Sequence, residues 1–298
     1  MEPDGIILID KPKGITSHDA VNRMRRLLRT KKIGHTGTLD PDATGLLVVL
    51  AGRAAKAAEY ITADEKVYEA TLRLGITTDT QDTSGEIISE SDNIPDEKTV
   101  FDAVRSFEGE YMQIPPMYSA LKQNGRKLVD LARRGIEVER DPRKVVIKEI
   151  KADKINEREY NLYVHCSKGT YIRTLCFDIG EKLGCGGCMA DLRRIKSGEF
   201  DIKDAITLSD CEELAYEQLC GRLIPTEELF ISYPALKLDG FFLKLCKSGC
   251  EIYQKKINTS FDPRQRVRLY DENGFFALGE VREFEDGSAV KSVKVFRL

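Results

Sequence analysis

Apolar positions along the chain change period in blocks, and each block predicts an element. Gly5-Ile6-Ile7-Leu8-Ile9 and Leu46-Leu47-Val48-Val49-Leu50 are short unbroken apolar runs, the pattern of buried strands. Between them Ala20, Val21, Met24, Leu27 and Leu28 recur at helical spacing, with Ser17 suited to cap the helix N-terminus. Residues 53–61 are alanine-rich and predict a helix. Tyr68, Ala70, Leu72 and Leu74 then alternate with polar positions, a period-two strand whose apolar face opens on Tyr68. A polar loop over 77–85 precedes a helix at 98–107, read from Val100, Phe101, Val104 and Phe107. Strands follow at 145–150 and 160–166, and Ile172, Leu175, Ile179 and Leu183 form a helical stripe that ends at Gly184. Beyond Pro234 two apolar runs flank Asp271-Glu272-Asn273-Gly274, a hairpin signal, and residues 293–296 add a strand, so the chain closes in a small β domain.

Composition fits this division. The chain has 298 residues, 41% hydrophobic and 32% charged, enough for one large core and a smaller second domain. The first residues carry neither a basic nor an apolar leader, and no apolar stretch approaches a membrane span, so the expected setting is the cytoplasm without membrane contact. Eight cysteines raise the question of a metal. Cys185 and Cys188 have ligand spacing, and Cys246 and Cys250 make a distant second pair. The two spacings differ and His165 alone lies near, so these cysteines read as small core residues and no metal is expected.

Net charge is −3, which by itself speaks against a polyanionic partner. The average hides a segregated pattern. Eight basic residues lie between Lys11 and Lys32 against Asp19 alone, and a second basic run spans 122–144, while acids gather at 79–110 and 199–228. One such run is usually a solvated face; two runs beside unusual loops point to phosphate contacts. The first predicted helix would turn Arg23, Arg25, Arg26 and Arg29 away from its apolar stripe.

The candidate chemistry sits at Gly34-His35-Thr36-Gly37-Thr38-Leu39-Asp40-Pro41-Asp42-Ala43-Thr44-Gly45. Glycines at 34, 37 and 45 allow turns and close approach, and Pro41 keeps Asp40 extended, presenting its carboxylate. An Asp-Pro in a glycine-rich loop is ordinary turn chemistry on its own. This loop, however, resembles the catalytic motif of the pseudouridine synthases, specifically the bacterial branch that modifies a uridine of the transfer-RNA T loop. Asp10-Lys11-Pro12-Lys13-Gly14-Ile15-Thr16-Ser17, Val67-Tyr68-Glu69-Ala70, Lys168-Gly169-Thr170-Tyr171-Ile172-Arg173 and Leu192-Arg193-Arg194 resemble further motifs of that family, in the family's order. The resemblance runs from about residue 5 to about residue 230.

The resemblance implies an α+β, pseudouridine synthase fold: a central mixed, largely antiparallel sheet flanked by helices, plus a small C-terminal β-rich, PUA-like domain. It implies a catalytic domain over 1–230, an RNA-gripping thumb inserted at about 113–144 around the Asn124-Gly125 turn, and an RNA-binding domain over 233–298. The implied activity is isomerisation of uridine 55 to pseudouridine by base flipping and an essential aspartate, without cofactor or metal. The implied partner is the T arm of transfer RNA, met by a monomer needing no protein partner. Asp40, Tyr68 and Arg173 would be catalytic: the carboxylate, the ring under the flipped uracil, and the guanidinium holding the carboxylate ionised. His35 would fill the gap left by the flipped base. Lys11, Lys13, Gly37, Thr38 and Leu192, with Arg126, Lys127, Arg133 and Arg134 of the thumb, would bind substrate and RNA. Lys255, Lys256, Arg264, Arg266 and Arg268 are candidate phosphate contacts of the last domain. Asp40 could attack covalently or abstract a sugar proton. Two other readings stay open: an RNA-folding protein with little or no catalysis, and a glycosidic hydrolase that releases free uracil.

Overall fold

The computed structural model describes residues 3–61, 65–123 and 125–297. The chain begins with β1 (Gly5–Lys11), α1 (Ser17–Leu27), β2 (Ile33–His35) and β3 (Thr44–Ala51). A 3-10 turn over Gly52–Ala57 runs into the short α2 (Ala58–Ile61), where sequence had predicted one continuous helix. Next come β4 (Glu65–Leu74), the hairpin β5 (Ile76–Thr78) and β6 (Ile87–Glu90), α3 (Glu97–Arg105) and β7 (Gly109–Gln113). A small unit of β8 (Lys122–Gln123), β9 (Arg126–Lys127) and α4 (Leu128–Ala132) precedes β10 (Arg143–Lys154), β11 (Glu159–Ser167), α5 (Ile172–Leu183) and β12 (Gly187–Ser197). After β13 (Phe200–Asp201), β14 (Ile206–Thr207), α6 (Leu208–Glu213) and α7 (Tyr216–Gly221), the C-terminal part contains β15 (Ala235–Lys237), α8 (Gly240–Lys247), β16 (Ile252–Tyr253) and α9 (Gln254–Ile257). It ends with β17 (Arg266–Asp271), β18 (Gly274–Phe284) and β19 (Gly287–Val295).

Ten strands form one sheet in the order β14-β1-β3-β12-β4-β11-β10-β7, with β2 beside β3 and β13 beside β12. Only the β1–β14 and β3–β12 pairs are parallel, so the sheet is mixed and largely antiparallel, as the resemblance implied. The unbroken apolar runs are explained by burial on both faces. Ile7, Ile9, Leu47 and Val49 pack under α1 and α6, whereas Ile6, Leu8, Leu46, Val48 and Leu50 meet the 52–61 turn and Phe230, Leu278 and Phe296. That second cluster docks the C-terminal β domain on the catalytic sheet. The domain itself is a five-stranded sheet, β15-β17-β18-β19-β16, and contains the predicted hairpin.

Two local expectations are corrected. Thr16, not Ser17, caps α1: its hydroxyl accepts the Asp19 N–H, and the Asp19 carboxylate accepts the Thr16 N–H in return. The basic face of α1 is also partly occupied. Arg23 meets Glu212 at 3.6 Å, Arg25 donates to Asn22 and the Ile33 carbonyl, and Arg29 lies over the Tyr216 ring, leaving Arg26 exposed. In the C-terminal domain Arg266 stacks on Tyr60, and Arg268 donates to the Tyr233 carbonyl and the Tyr270 hydroxyl, so each half-buried guanidinium also has a partner within the fold.

Candidate active site

The site forms where the Asp40 loop, β4, β12 and the first turn of α5 converge. Each is held by a nameable device. Ser17, freed from capping, accepts the Leu39 N–H at 2.8 Å and donates to the Leu39 carbonyl at 3.0 Å, stapling the residue before Asp40 to the start of α1. Lys11 is fully buried and its ammonium donates to the carbonyls of Pro12, Ile15 and Pro41 at 2.9, 2.7 and 3.1 Å. The structure thus gives Lys11, expected to bind substrate or RNA, a role within the fold: its three donors tie one motif to the other, and burial pushes its pKa down to about 8 against the pull of Asp42 and Asp40. Of the three loop glycines, Gly45 alone has a left-handed φ, 99°; a Cβ there would strike the Arg194 carbonyl at 2.3 Å, because β3 and β12 cross tightly at this pair.

Arg194 is almost wholly buried beside this crossing. It donates to the carbonyls of Leu46 at 2.8 Å, Gly37 at 3.0 Å and Thr38 at 3.4 Å, so the loop is moulded round its guanidinium. Directly across the strand pair from Arg194 stands Tyr68. Burial pushes the Tyr68 phenol up to about 12, with Arg194 pulling the other way, so it is neutral at physiological pH. Arg194 was legible only as part of a motif. Its burial follows from alternation on β12, which puts it on the face of the buried Leu192.

Arg173, the second residue of α5, is buried and points its Nε at Asp40 Oδ2, 3.1 Å away. Its Nη1 meets the Thr80 carbonyl at 3.1 Å and Asp82 Oδ2 at 3.6 Å, and its Nη2 donates to the Tyr118 carbonyl at 2.8 Å. One side chain thus joins three loops. Asp82 was not singled out from sequence; it lies in the polar 77–85 loop, where its carboxylate also accepts from Thr80 and Ser84. Asp40 keeps 43% of its side-chain surface exposed, on the wall of a cavity of about 420 Å³. Burial raises the Asp40 pKa above the usual carboxylate value; Arg173 opposes this, Asp82 and Asp42 add to it, and Lys11 opposes it.

Gly37, Thr38, Tyr68, Leu192 and Arg173 line the same cavity, together with Lys66 and Tyr171. Lys127 closes it from the thumb side, with Tyr118 and Val129. The thumb's predicted turn has its Asn124 outside the described residues, but β8 and β9 pair on either side of it. Arg126, Arg133 and Arg134 are exposed on the outer surface of this unit, away from the lining. Lys13 is exposed and pairs with Asp191 at 3.5 Å. His35 lies on β2, outside the lining, and burial together with Arg194 lowers its pKa, which keeps the imidazole neutral. All eight cysteines are free, and among the described residues no group of three or more His, Cys, Asp or Glu is placed to hold a metal ion.

This architecture has known counterparts. The protein in a structure of an H/ACA ribonucleoprotein bound to a substrate RNA containing 2′-deoxyuridine shares the fold with a TM-score of 0.69 at 23% identity, over 100% of this chain and 86% of that one. A chain of a Cbf5-Nop10-Gar1 complex gives 0.66 at 25% identity over 99% and 85%. A sequence model described as TruB family pseudouridylate synthase (N terminal domain) matches residues 25–172, and one described as tRNA pseudouridylate synthase B C-terminal domain matches 173–230. Proteins named tRNA pseudouridine synthase B from Clostridium tetani and Clostridioides difficile are each 43% identical, covering 93% and 98% of this chain and 95% and 99% of their own. The chain belongs to the TruB family of pseudouridylate synthases, isomerases that convert uridine into pseudouridine.

Proposed function

We propose that the protein isomerises the T-loop uridine at position 55 of transfer RNA, taking the base into the Asp40 cavity and using the Asp40 carboxylate. The names of the relatives support transfer RNA as the substrate. The observation that carries the role of Asp40 is its ion pair: a half-exposed carboxylate on a cavity wall, held at 3.1 Å by a buried arginine. A cavity of about 420 Å³ falls among pockets that enclose small ligands, and a stacked base enters such a pocket only by leaving its helix.

The reaction breaks the bond from C1′ to N1 and the electron pair leaves with uracil. The base turns within the cavity, C5 joins C1′, and C5 loses its proton while N1 gains one, so the product is an isomer of the substrate with no net proton released. Asp40, ionised beside Arg173, is the group placed to act on the sugar or the base as the first bond breaks. Tyr68 offers a ring to the uracil, and as a neutral phenol it can take the C5 proton only by passing its own hydroxyl proton on. The exposed arginines of the thumb fit the phosphates of the T arm. We further infer that it acts as a monomer in the cytoplasm without a protein partner. Among the described residues no helix is long and apolar enough to cross a membrane.

The test uses an unmodified transfer-RNA transcript, with pseudouridine mapped by position and free uracil assayed in parallel. Pseudouridine at position 55 without uracil release is the expected result. Modification elsewhere, or uracil as the main product, would refute the assignment.

A further inference from the structure

The first turn of α5 carries Arg173, yet its N-cap residue, Tyr171, makes no side-chain cap. The missing partner comes from 58 residues earlier. Gln113, the last residue of β7, is 1% exposed. Its Oε1 accepts the Tyr171 N–H at 2.8 Å, and its Nε2 donates to the Tyr171 carbonyl at 3.0 Å and to the Tyr111 hydroxyl. The amide therefore meets the Tyr171 backbone as a neighbouring strand would, satisfying donor and acceptor together. Among side chains of this length, glutamine alone supplies both groups without a charge.

Gln113 is also the root of the thumb. It pairs with Arg143 in the main sheet, so it stays in place whatever the segment between them does. The partners of the Arg173 guanidinium, by contrast, are Asp40, Thr80, Asp82 and the Tyr118 carbonyl, all on connecting segments, and Tyr118 belongs to the thumb. We propose that Gln113 is a positioning residue for the isomerisation: by fixing the Tyr171 backbone from the sheet, it aims Arg173 at Asp40 while the thumb rearranges on RNA. This rests on the reading of Asp40 as the essential carboxylate.

Gln113 touches neither Asp40 nor the cavity, so its loss should act on rate and ionisation rather than on RNA affinity. Asp40 is faced by Arg173 from α5, Asp82 from the 77–85 loop, Lys11 from β1 and Asp42 from its own loop. Moving Arg173 away removes the strongest charge that favours the ionised form, the guanidinium 3.1 Å from the carboxylate, so the acid limb of the rate must move to higher pH.

The experiment measures single-turnover pseudouridine formation against pH, and RNA affinity, for the full chain and for Gln113→Met, Gln113→Glu and Asp40→Asn. Gln113→Met should lose about a hundredfold in rate, with RNA affinity within about twofold and the acid limb shifted upward. Gln113→Glu keeps the acceptor for the Tyr171 N–H and should lose less; if the Met variant does not fold, the Glu variant decides by the same three readings. A rate within about twofold of wild type, an unmoved acid limb, or an equal loss of affinity would overturn the proposal. An active Asp40→Asn enzyme would overturn the underlying reading instead, whereas an inactive one beside a fully active Gln113→Met would overturn only the role of Gln113.

Discussion

Asp40 is pulled in opposite directions. Burial and the neighbouring carboxylates of Asp82 and Asp42 favour its neutral form; Arg173 and Lys11 favour the charged one, and the balance leaves its pKa above the usual value. Chemistry that needs the carboxylate must fail as pH falls through that raised pKa. Arg173→Met removes a lowering influence, so the pKa rises further and the acid limb of the rate should move to higher pH. Turnover should fall by about a hundredfold or more while RNA affinity changes little, since the partner of Arg173 is the carboxylate and not the phosphate backbone. Titrating activity and binding of the same preparation checks both, and an unshifted limb or equal losses would count against the pairing. At this scale the sequence was uneven. That Asp40, Tyr68 and Arg173 would meet was readable from their motifs, and all three line one cavity; the burial of Lys11 was not readable, because counting charges does not reveal what surrounds them. Both faces of β1 are covered, and the Lys11 ammonium is enclosed by the carbonyls of Pro12, Ile15 and Pro41, the last 30 residues away in sequence.

Elements with a clear period were legible to within a few residues. The stripe from Ile172 to Leu183 is α5, and Gly184 ends it with φ at 71°. The alanine-rich 52–61 segment was less so, because alanine favours a helix without dictating which kind, and here the first turns tighten to 3-10. The thumb is the informative intermediate. Prolines, basic residues and a turn marked it as an insertion, and Leu128 and Leu131 of α4 give it a small core with Met117. Its inner surface reaches the cavity through Lys127 and Val129, while Arg133 and Arg134 stay outside. Two exposed arginines on a small unit suit phosphate contact. Reversing both to glutamate should weaken transfer-RNA binding by more than about tenfold and lower the salt slope by about 2, without changing thermal stability. Binding isotherms across a salt series give the test; an unchanged slope would remove these residues from the interface.

For the whole molecule, the sheet order could not be read in advance. The parallel crossing of β3 and β12 joins residues about 150 apart in sequence, and no local pattern encodes such a pairing. It is nevertheless what assembles the site: Arg194 on β12 shapes the loop before β3, and Tyr68 stands opposite it on the adjoining strand β4. The C-terminal domain was legible as β structure, but the contacts of Arg266 and Arg268 with Tyr60, Tyr233 and Tyr270 were not, because a charge seen in sequence does not reveal its partner. Sheet, α5 and thumb converge on one carboxylate, and the account stands or falls on it. The most direct measurement is single-turnover formation of pseudouridine on unmodified transfer RNA by Asp40→Asn, with RNA affinity measured on the same preparation. The account predicts binding close to wild type and no detectable pseudouridine; pseudouridine formed at the wild-type rate would contradict it.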